Sequence, residues 1–348
     1  DTSNSSEPLP DYKATYTWKG GAEADWTGSD SWTVSGATVS NPKPYPFSET
    51  LHAVIFPSKA NATVRLKGGE ACLYIQPNKG ASFRLQGVGD EPVPFTTGII
   101  RWYSAQNVTC VCDRVAVRLT NVSGSTDNSC ERFGTGSLLR FENGGSISVS
   151  GVGSYGVNFG PNTGYAVEVD GGAYDYRPSS ASSYSMNFSG QSRVLVRDGL
   201  VRATTTFSLC KAETGPSSWT FEGAVPRLVA LSNFGVTGAA GTTLAFKPGA
   251  TGFAEPVISV SNKVAFAAGS YDKGPVTVSV PKDAGIWKAS ARQDVVLLSA
   301  PKGINTNGIE FAQMPRSSGT FVYLPEGAEN PTSLVLRYKP RGLALILR

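Results

Sequence analysis

The sequence predicts an all-β protein, and three observations carry that prediction. Apolar residues alternate with polar ones at period two in many short stretches, which is the pattern of half-buried strands. The 39 glycines and 22 prolines punctuate these stretches closely, so turns are dense. No stretch has the apolar spacing of an amphipathic helix. The alternation is clearest at Val64 and Leu66, Val115 to Leu119, Ile147 and Val149, Val194 and Val196, and Val276 to Val280.

A loose recurrence in the middle of the chain predicts the architecture. Each unit places apolar residues before a glycine, as in "LRFENGG" at Leu139, "VEVDGG" at Val167, "MNFSG" at Met186 and "WTFEG" at Trp219. The intervals, roughly 19 to 33 residues, are those of supersecondary units that stack into a solenoid. We therefore predict a degenerate parallel β-helix over residues 51–249. Tandem antiparallel β-sandwiches are the alternative topology.

Residues 1–50 are predicted to be an extension followed by an aromatic cap. An open coil exposes both core and unpaired backbone at its end, so the first coil needs a cover. The segment "YTWKGGAEADWTGSDSW" supplies large apolar side chains among turn residues and lies just before the first clear strand. The residues assigned to this cap, with assembly as a second role, are Tyr16, Trp18, Trp26 and Trp32.

Residues 250–348 differ from the preceding part in their strand pattern and are predicted to form a C-terminal β-rich module. Their strands are longer and end at Pro/Gly turns, and the boundary is placed near Gly249. The last apolar run has no polar face, which is typical of a strand buried inside a sheet. Its residues Leu343, Leu345 and Leu347 are assigned to capping or assembly.

Composition limits the cellular location and the classes of partner that we expect for this chain. Charged residues make up 17% of the chain and the formal net charge is +4, without a Lys/Arg cluster. Nucleic acid is therefore not expected as a partner, because phosphate binding needs a focused basic patch. No apolar run reaches the roughly 20 residues of a membrane-spanning helix. The polar opening and the absence of an initiator methionine are typical of a mature form with its signal peptide removed, or of a trimmed chain. We therefore predict secretion or display at the cell surface.

Cysteine spacing suggests one disulfide bond. Cys110 and Cys112 are two residues apart, so on a strand they share one face and are poorly placed to bond each other. Cys130 follows a loop-like stretch and could fold back onto either. The three residues are therefore the disulfide candidates. No zinc site is predicted, because the spacing is wrong and His52 is the only histidine.

Catalytic chemistry has little support in the sequence, and no catalytic residue or cofactor is assigned. His52 lies in a strand-like stretch without a nucleophile motif to serve. Asp170 and Asp175 bracket a glycine pair that could bring the two carboxylates together, as acid-based glycan cleavage would require. Turn and surface roles are the favoured interpretation of both residues, because Asp followed by Gly is most often a plain turn.

Aromatic side chains offer a second possible chemistry. An exposed aromatic ring can stack on a sugar ring without any charge. The candidates for glycan binding are Trp102, Tyr103, Tyr174, Tyr176 and Tyr184. Packing at caps and coil turns is the favoured role of the same residues, and glycan binding is the alternative.

Three stretches together resemble secreted bacterial surface proteins with autotransporter-associated β-strand repeats, of the Verrucomicrobia and Lentisphaerae type. They are the aromatic opening at Tyr16–Trp32, the segment "MNFSGQSRVLVRDGL" and the terminal "LRYKPRGLALILR". The resemblance implies a right-handed β-helix at a cell surface. It transfers no catalytic residue to this chain.

These observations favour a non-catalytic, secreted structural or adhesive protein of the cell surface. Its special form is a filament or layer subunit that associates by strand addition at its termini. The expected partners are copies of itself, other surface components or glycans. A glycan-binding module is the first alternative, and a polysaccharide lyase or hydrolase built on a β-helix is the second.

Overall fold

The computed structural model describes residues 14–36, 43–100, 105–120, 131–150, 155–159, 164–177, 185–190, 193–209, 217–236, 242–266, 276–315 and 318–340. These residues form three sheets, of 14, 11 and 7 strands, called here sheets A, B and C. The only helical element in the described part is one 3-10 turn, Gly285–Lys288. The predicted all-β class is confirmed.

The N-terminal part alternates between sheets A and B, with two strands per coil. Strand β1 pairs antiparallel with β3 and parallel with β4, while β2 begins sheet B beside β5. The strands of this part are β1 (Ala14–Trp18), β2 (Glu23–Asp25), β3 (Trp32–Ser35), β4 (Ser48–Phe56), β5 (Asn61–Leu66), β6 (Glu70–Pro77), β7 (Ser82–Gly87), β8 (Val93–Ile100), β9 (Thr109–Asp113) and β10 (Val115–Leu119).

From β10 onward each coil contains three strands, which enter sheets A, C and B in that order. The further strands are β11 (Glu131–Phe133), β12 (Leu138–Glu142), β13 (Ser146–Val149), β14 (Tyr155–Phe159), β15 (Val167–Asp170), β16 (Ala173–Tyr176), β17 (Ser185–Gly190), β18 (Arg193–Arg197), β19 (Leu200–Ala203), β20 (Thr206–Leu209), β21 (Ser218–Gly223), β22 (Arg227–Ala230), β23 (Phe234–Val236), β24 (Thr243–Pro248), β25 (Ile258–Val260), β26 (Val264–Phe266), β27 (Val276–Ser279), β28 (Gln293–Ser299), β29 (Ile304–Asn305) and β30 (Ile309–Phe311).

Every described strand pair between β4 and β30 is parallel, for example β13 with β16 and β24 with β27. Parallel pairing of successive coils is the defining feature of a β-helix, so that prediction is confirmed. The alternative of tandem antiparallel sandwiches is wrong, because sandwiches are built from antiparallel strands.

The core consists of in-register columns of apolar side chains inside the coils. In sheet A, Tyr174 pairs with Val201 and Asp175 with Arg202, 27 residues later along the chain in each case. The inward column of this sheet runs through Val117, Ile147, Tyr174, Val201, Leu228 and Ile258, all of them buried. The alternating residues predicted from the sequence to face the core are buried as expected.

Glycine pairs turn the chain from sheet B into sheet A at places where successive coils touch. Gly171 has a φ of +65°, a left-handed conformation that favours glycine. At Gly172 a Cβ atom would lie 2.3 Å from the Gly145 carbonyl oxygen, and at Gly145 one would lie 1.9 Å from the Cys112 oxygen. The second glycine of "NGG" and "DGG" is therefore required by the close contact between coils.

An antiparallel hairpin ends sheet A on the C-terminal side. It consists of β31 (Gly319–Leu324) and β32 (Ser333–Tyr338), and β32 pairs with β28. Tyr338 packs edge-on against Trp287, with ring centroids 5.9 Å apart.

The parallel pairing runs through Gly249, so the predicted boundary there does not coincide with a change of pairing in the described part.

Replacing Gly172 by Ala tests the coil contact. We expect the free energy of unfolding to fall by about 1–3 kcal/mol, because the added methyl group meets backbone that can move only if the coil spacing opens. Gly235→Ala is the matched control, since the nearest described atom to a Cβ there is 3.6 Å away. Chemical denaturation measures both variants, and equal stabilities would contradict this account of the turn.

Candidate functional site

The four N-terminal aromatic residues are buried as a cap on the first coils. Trp32 makes edge-on contacts with Trp18 and with Trp26, each at 5.0 Å between ring centroids. The Trp26 ring reaches Phe95 on β8, and its Nε1 donates a hydrogen bond to the Pro46 carbonyl oxygen at 2.7 Å. Tyr16 is fully buried. These rings cover the end of the core and present no exposed face to a ligand.

Two of the predicted glycan-binding residues are also buried, which corrects that expectation. Tyr174 and Tyr176 are 0% and 1% exposed and belong to the inward columns of sheet A. Stacking on a sugar needs an exposed ring, so neither residue can serve. Trp102, Tyr103 and Tyr184 lie outside the described residues.

An exposed aromatic patch lies instead beside the N-terminal cap, where no site was predicted from the sequence. Phe47 is 44% exposed, and Lys43 Nζ lies 4.6 Å from its ring centroid. Tyr45 packs edge-on against Phe47 at 6.4 Å. The signal in the sequence was the alternation of aromatic and proline residues in "KPYPF", which holds neighbouring rings on an extended backbone.

His52 is buried and packs against the aromatic patch. It is 2% exposed on β4, its ring centroid lies 4.5 Å from that of Phe47, and the Phe47 backbone N–H donates to Nδ1 at 3.1 Å. Burial lowers the pKa of His52 below its ordinary value, because desolvation penalises the charged imidazolium. The ring is therefore a neutral part of the packing under the aromatic patch.

Asp170 belongs to a row of polar and charged side chains on the outer face of sheet B. Strand register places one such residue in each of nine successive strands, and we call this set the charged row. It consists of Asp25, Arg65, Gln86, Asp113, Glu142, Asp170, Arg197, Glu222 and Lys247.

The acidic members of the charged row are paired with basic groups. Arg197 bridges Asp170 at 3.0 Å and Glu222 at 2.5 Å. Lys247 adds a contact of 3.2 Å to Glu222. These contacts connect one coil to the next on the outside of the molecule.

The acidic neighbours Asp113 and Glu142 are bridged from outside the charged row. Arg84 lies 2.9 Å from the Asp113 carboxylate and 2.7 Å from that of Glu142. Burial by itself would raise the pKa of Asp113, but hydrogen bonds from Asn143 and Gln86, together with nearby arginines, lower it overall. The charged form of the Asp113 carboxylate is thereby favoured. This is expected of a structural ion pair and not of a proton donor.

Asp175 lies in a different sheet from Asp170 and has its own partners. It is 6% exposed on the outer face of sheet A, where Arg177 Nε donates to it at 2.6 Å and Arg202 binds both of its carboxylate oxygens. The glycine pair turns the chain between sheets B and A. The two carboxylates are therefore engaged in separate ion-pair clusters.

The described cysteines lie in the core. Cys110 and Cys112 are both fully buried on β9, two positions apart, so they share the inner face as predicted. The structure shows no disulfide bond within the residues that it describes, where Cys72 and Cys112 are thiols. Burial raises the pKa of the Cys72 thiol to about 12. Cys130 lies outside the described residues, and the predicted bridge to it stays a prediction.

The C-terminal end of sheet A finishes in a six-residue edge strand, which is longer than the four-residue edge strand β3 at the N-terminal end. β31 is the last strand of sheet A, and no described strand pairs with its outer edge. Phe311 is 40% exposed and stacks on Phe321 at 4.6 Å, and Tyr323 lies 5.8 Å from the same ring. The predicted assembly residues Leu343, Leu345 and Leu347 lie outside the described residues.

Comparison of the chain with protein-family models, with curated proteins and with solved structures finds no match. The resemblance to autotransporter-associated repeat proteins therefore remains a prediction. The part of the chain that the structure describes contains no helix that could span a membrane. Nor do the described His, Cys, Asp and Glu side chains form a group of three or more suited to a metal ion.

His52 is the only histidine of the chain, which allows a specific pH prediction. Because its folded pKa is lowered, the unfolded chain binds the proton more readily. Its contribution to stability is therefore complete above the ordinary histidine pKa of about 6.5 and is lost as the pH falls below that value. We expect denaturation midpoints to drop between about pH 7 and pH 5.

His52→Asn is the control for this pH dependence, because it offers an acceptor near the Nδ1 position but does not titrate. We expect its stability to vary less over the same pH range, whatever its absolute stability. A decline as steep as that of the wild type would assign the effect to other groups.

Replacement of Asp170 and of Asp175 should lower stability by different amounts, because the two side chains have different environments. Asp175→Asn leaves two arginines facing a neutral amide at a buried position, so we expect a loss of about 1.5–3 kcal/mol in the free energy of unfolding. Asp170→Asn should cost less than about 1 kcal/mol, because 41% of the Asp170 side chain is exposed and Arg197 keeps Glu222 as a partner. Denaturant titration of both variants tests this order, and equal losses would contradict it.

Proposed function

We propose that this chain is a non-catalytic structural or adhesive protein of an extracellular cell surface, which associates with further copies through an end of its β-helix. The observation that carries the proposal is the edge strand at the C-terminal end of sheet A. Both end strands of this sheet, β3 and β31, lack a described neighbour on the outer side, but β3 has four residues and belongs to the buried aromatic cap, whereas β31 has six.

The electrostatics of the described surface support a scaffold. The carboxylates that the sequence offered for acid-based cleavage are paired with arginines, and the two clusters lie on different sheets. Residues used in this way fix one coil on the next. A catalytic pair would need one carboxyl group held protonated and the other free, within reach of the same bond.

The resemblance of the aromatic opening and the terminal segment to autotransporter-associated repeat proteins adds the location to the proposal. A neutral, hydroxyl-rich β-helix with few concentrated charges suits an exposed scaffold, because nothing in its composition calls for a charged partner.

Two measurements test this function. Immunogold electron microscopy of the native cells should label the exterior, and sedimentation velocity of the purified chain should show species larger than a monomer as its concentration rises. Label confined to the cell interior, or a protein that stays monomeric up to millimolar concentration, would refute the proposal.

A further inference from the structure

The edge of β31 lacks the features that normally protect an exposed strand. Edge strands are usually blunted by charged residues, proline or a bulge, because their unpaired N–H and C=O groups attract other strands. The six residues of β31, "GTFVYL", contain neither charge nor proline. The other described edge strands of the three sheets are shorter. Glu23–Asp25, Ile309–Phe311 and Glu131–Phe133 carry charges, whereas Ile304–Asn305 and Trp32–Ser35 do not.

The two faces of β31 differ in their burial. Phe321 and Tyr323 point toward the core and pack against it, and they stand opposite Leu336 and Leu334 of β32. On the other face, Thr320 is exposed and Val322 and Leu324 are half-buried. The strand is therefore firmly held on its inner face and along one edge.

Charges flank β31 with opposite signs at its two ends. At its start, Lys339 is exposed, and its backbone N–H donates to the Ser318 carbonyl oxygen at 2.8 Å. At its C-terminal end, Glu326 and Glu329 are exposed, and Arg337 of β32 lies 2.8 Å from the Glu326 carboxylate. An antiparallel copy of the same strand would bring the lysine of each chain to the acidic end of the other. A parallel copy would place like charges together, which is unfavourable.

We propose that β31 is a self-association edge, at which two copies of this chain pair antiparallel about a two-fold axis and continue sheet A from one molecule into the next. In a pairing centred on Phe321, this residue stands opposite its own copy, and Thr320 of one chain stands opposite Val322 of the other, so that residues of the same face meet. The exposed Phe311 ring lies beside this edge through its contact with Phe321 and adds apolar area. The inference rests on the proposed function and names its partner and its surface.

Association of the wild type is compared with that of a variant carrying Thr320→Lys and Val322→Lys. We expect dimerisation to weaken roughly tenfold or more, because lysines would face lysines across the two-fold axis. The matched control is Ser259→Lys, on the outer face of β25 inside the same sheet. Its dimerisation should equal that of the wild type. Lys339→Glu should also weaken the dimer, since it places acid against acid.

Hydrogen exchange of the full chain distinguishes this dimer from other arrangements. We expect the amide groups of β31 to become protected as concentration rises, and the double-lysine variant to lose that protection. Protection that is independent of concentration would mean that the chain itself covers the edge, and it would overturn the inference. Larger species with β31 unprotected would overturn it too, while leaving assembly as the proposed function intact. A wild type that never associates would refute both.

Discussion

The register between successive coils is the constraint on which the rest of this structure depends. Each coil is held by backbone hydrogen bonds to the coils on either side, so a residue on one strand has fixed neighbours on the next. The contact of Gly172 with the Gly145 carbonyl shows how little tolerance this spacing leaves at the corners. Apolar columns inside and the charged row outside both follow from that single repeat. Stability is then close to a sum of contacts between nearest neighbours.

Fixed register also explains the arrangement of charge. Stacking places equivalent positions of successive coils side by side, so an acidic residue retained at one position would face another in the next coil. The chain avoids part of this repulsion by inserting arginine or lysine, as at Arg197 between Asp170 and Glu222. Three acids do adjoin, at Asp113, Glu142 and Asp170. Arg84 reaches the first two from the neighbouring column, and Arg197 binds the third. The carboxylates that suggested chemistry from sequence alone are parts of this neutralisation.

The fold was largely predictable from sequence, because period-two alternation is a local property. The third sheet was harder to foresee. "LRFENGG", "VEVDGG" and "WTFEG" all fall on sheet B, whereas "MNFSG" lies in sheet C, so the apparent recurrence mixed two positions of one coil. The alternating pattern also does not identify which face of "AYDY" points into the core. Tyr174 and Tyr176 had to share a face, but their burial depends on neighbours 27 residues away along the chain. For the same reason the pairing of Asp175 with Arg202 leaves no local signal.

The change from two strands per coil to three, at β10, gives this molecule an unequal cross-section along its axis. The part nearest the aromatic cap is slender, and the part that leads to the hairpin is broader. Two copies joined at β31 would meet at their broad ends and direct their slender, aromatic-closed tips away from each other. Such a particle would be spindle-shaped and identical at both extremities, so any growth beyond two copies would need a second surface on its flank or at its tips.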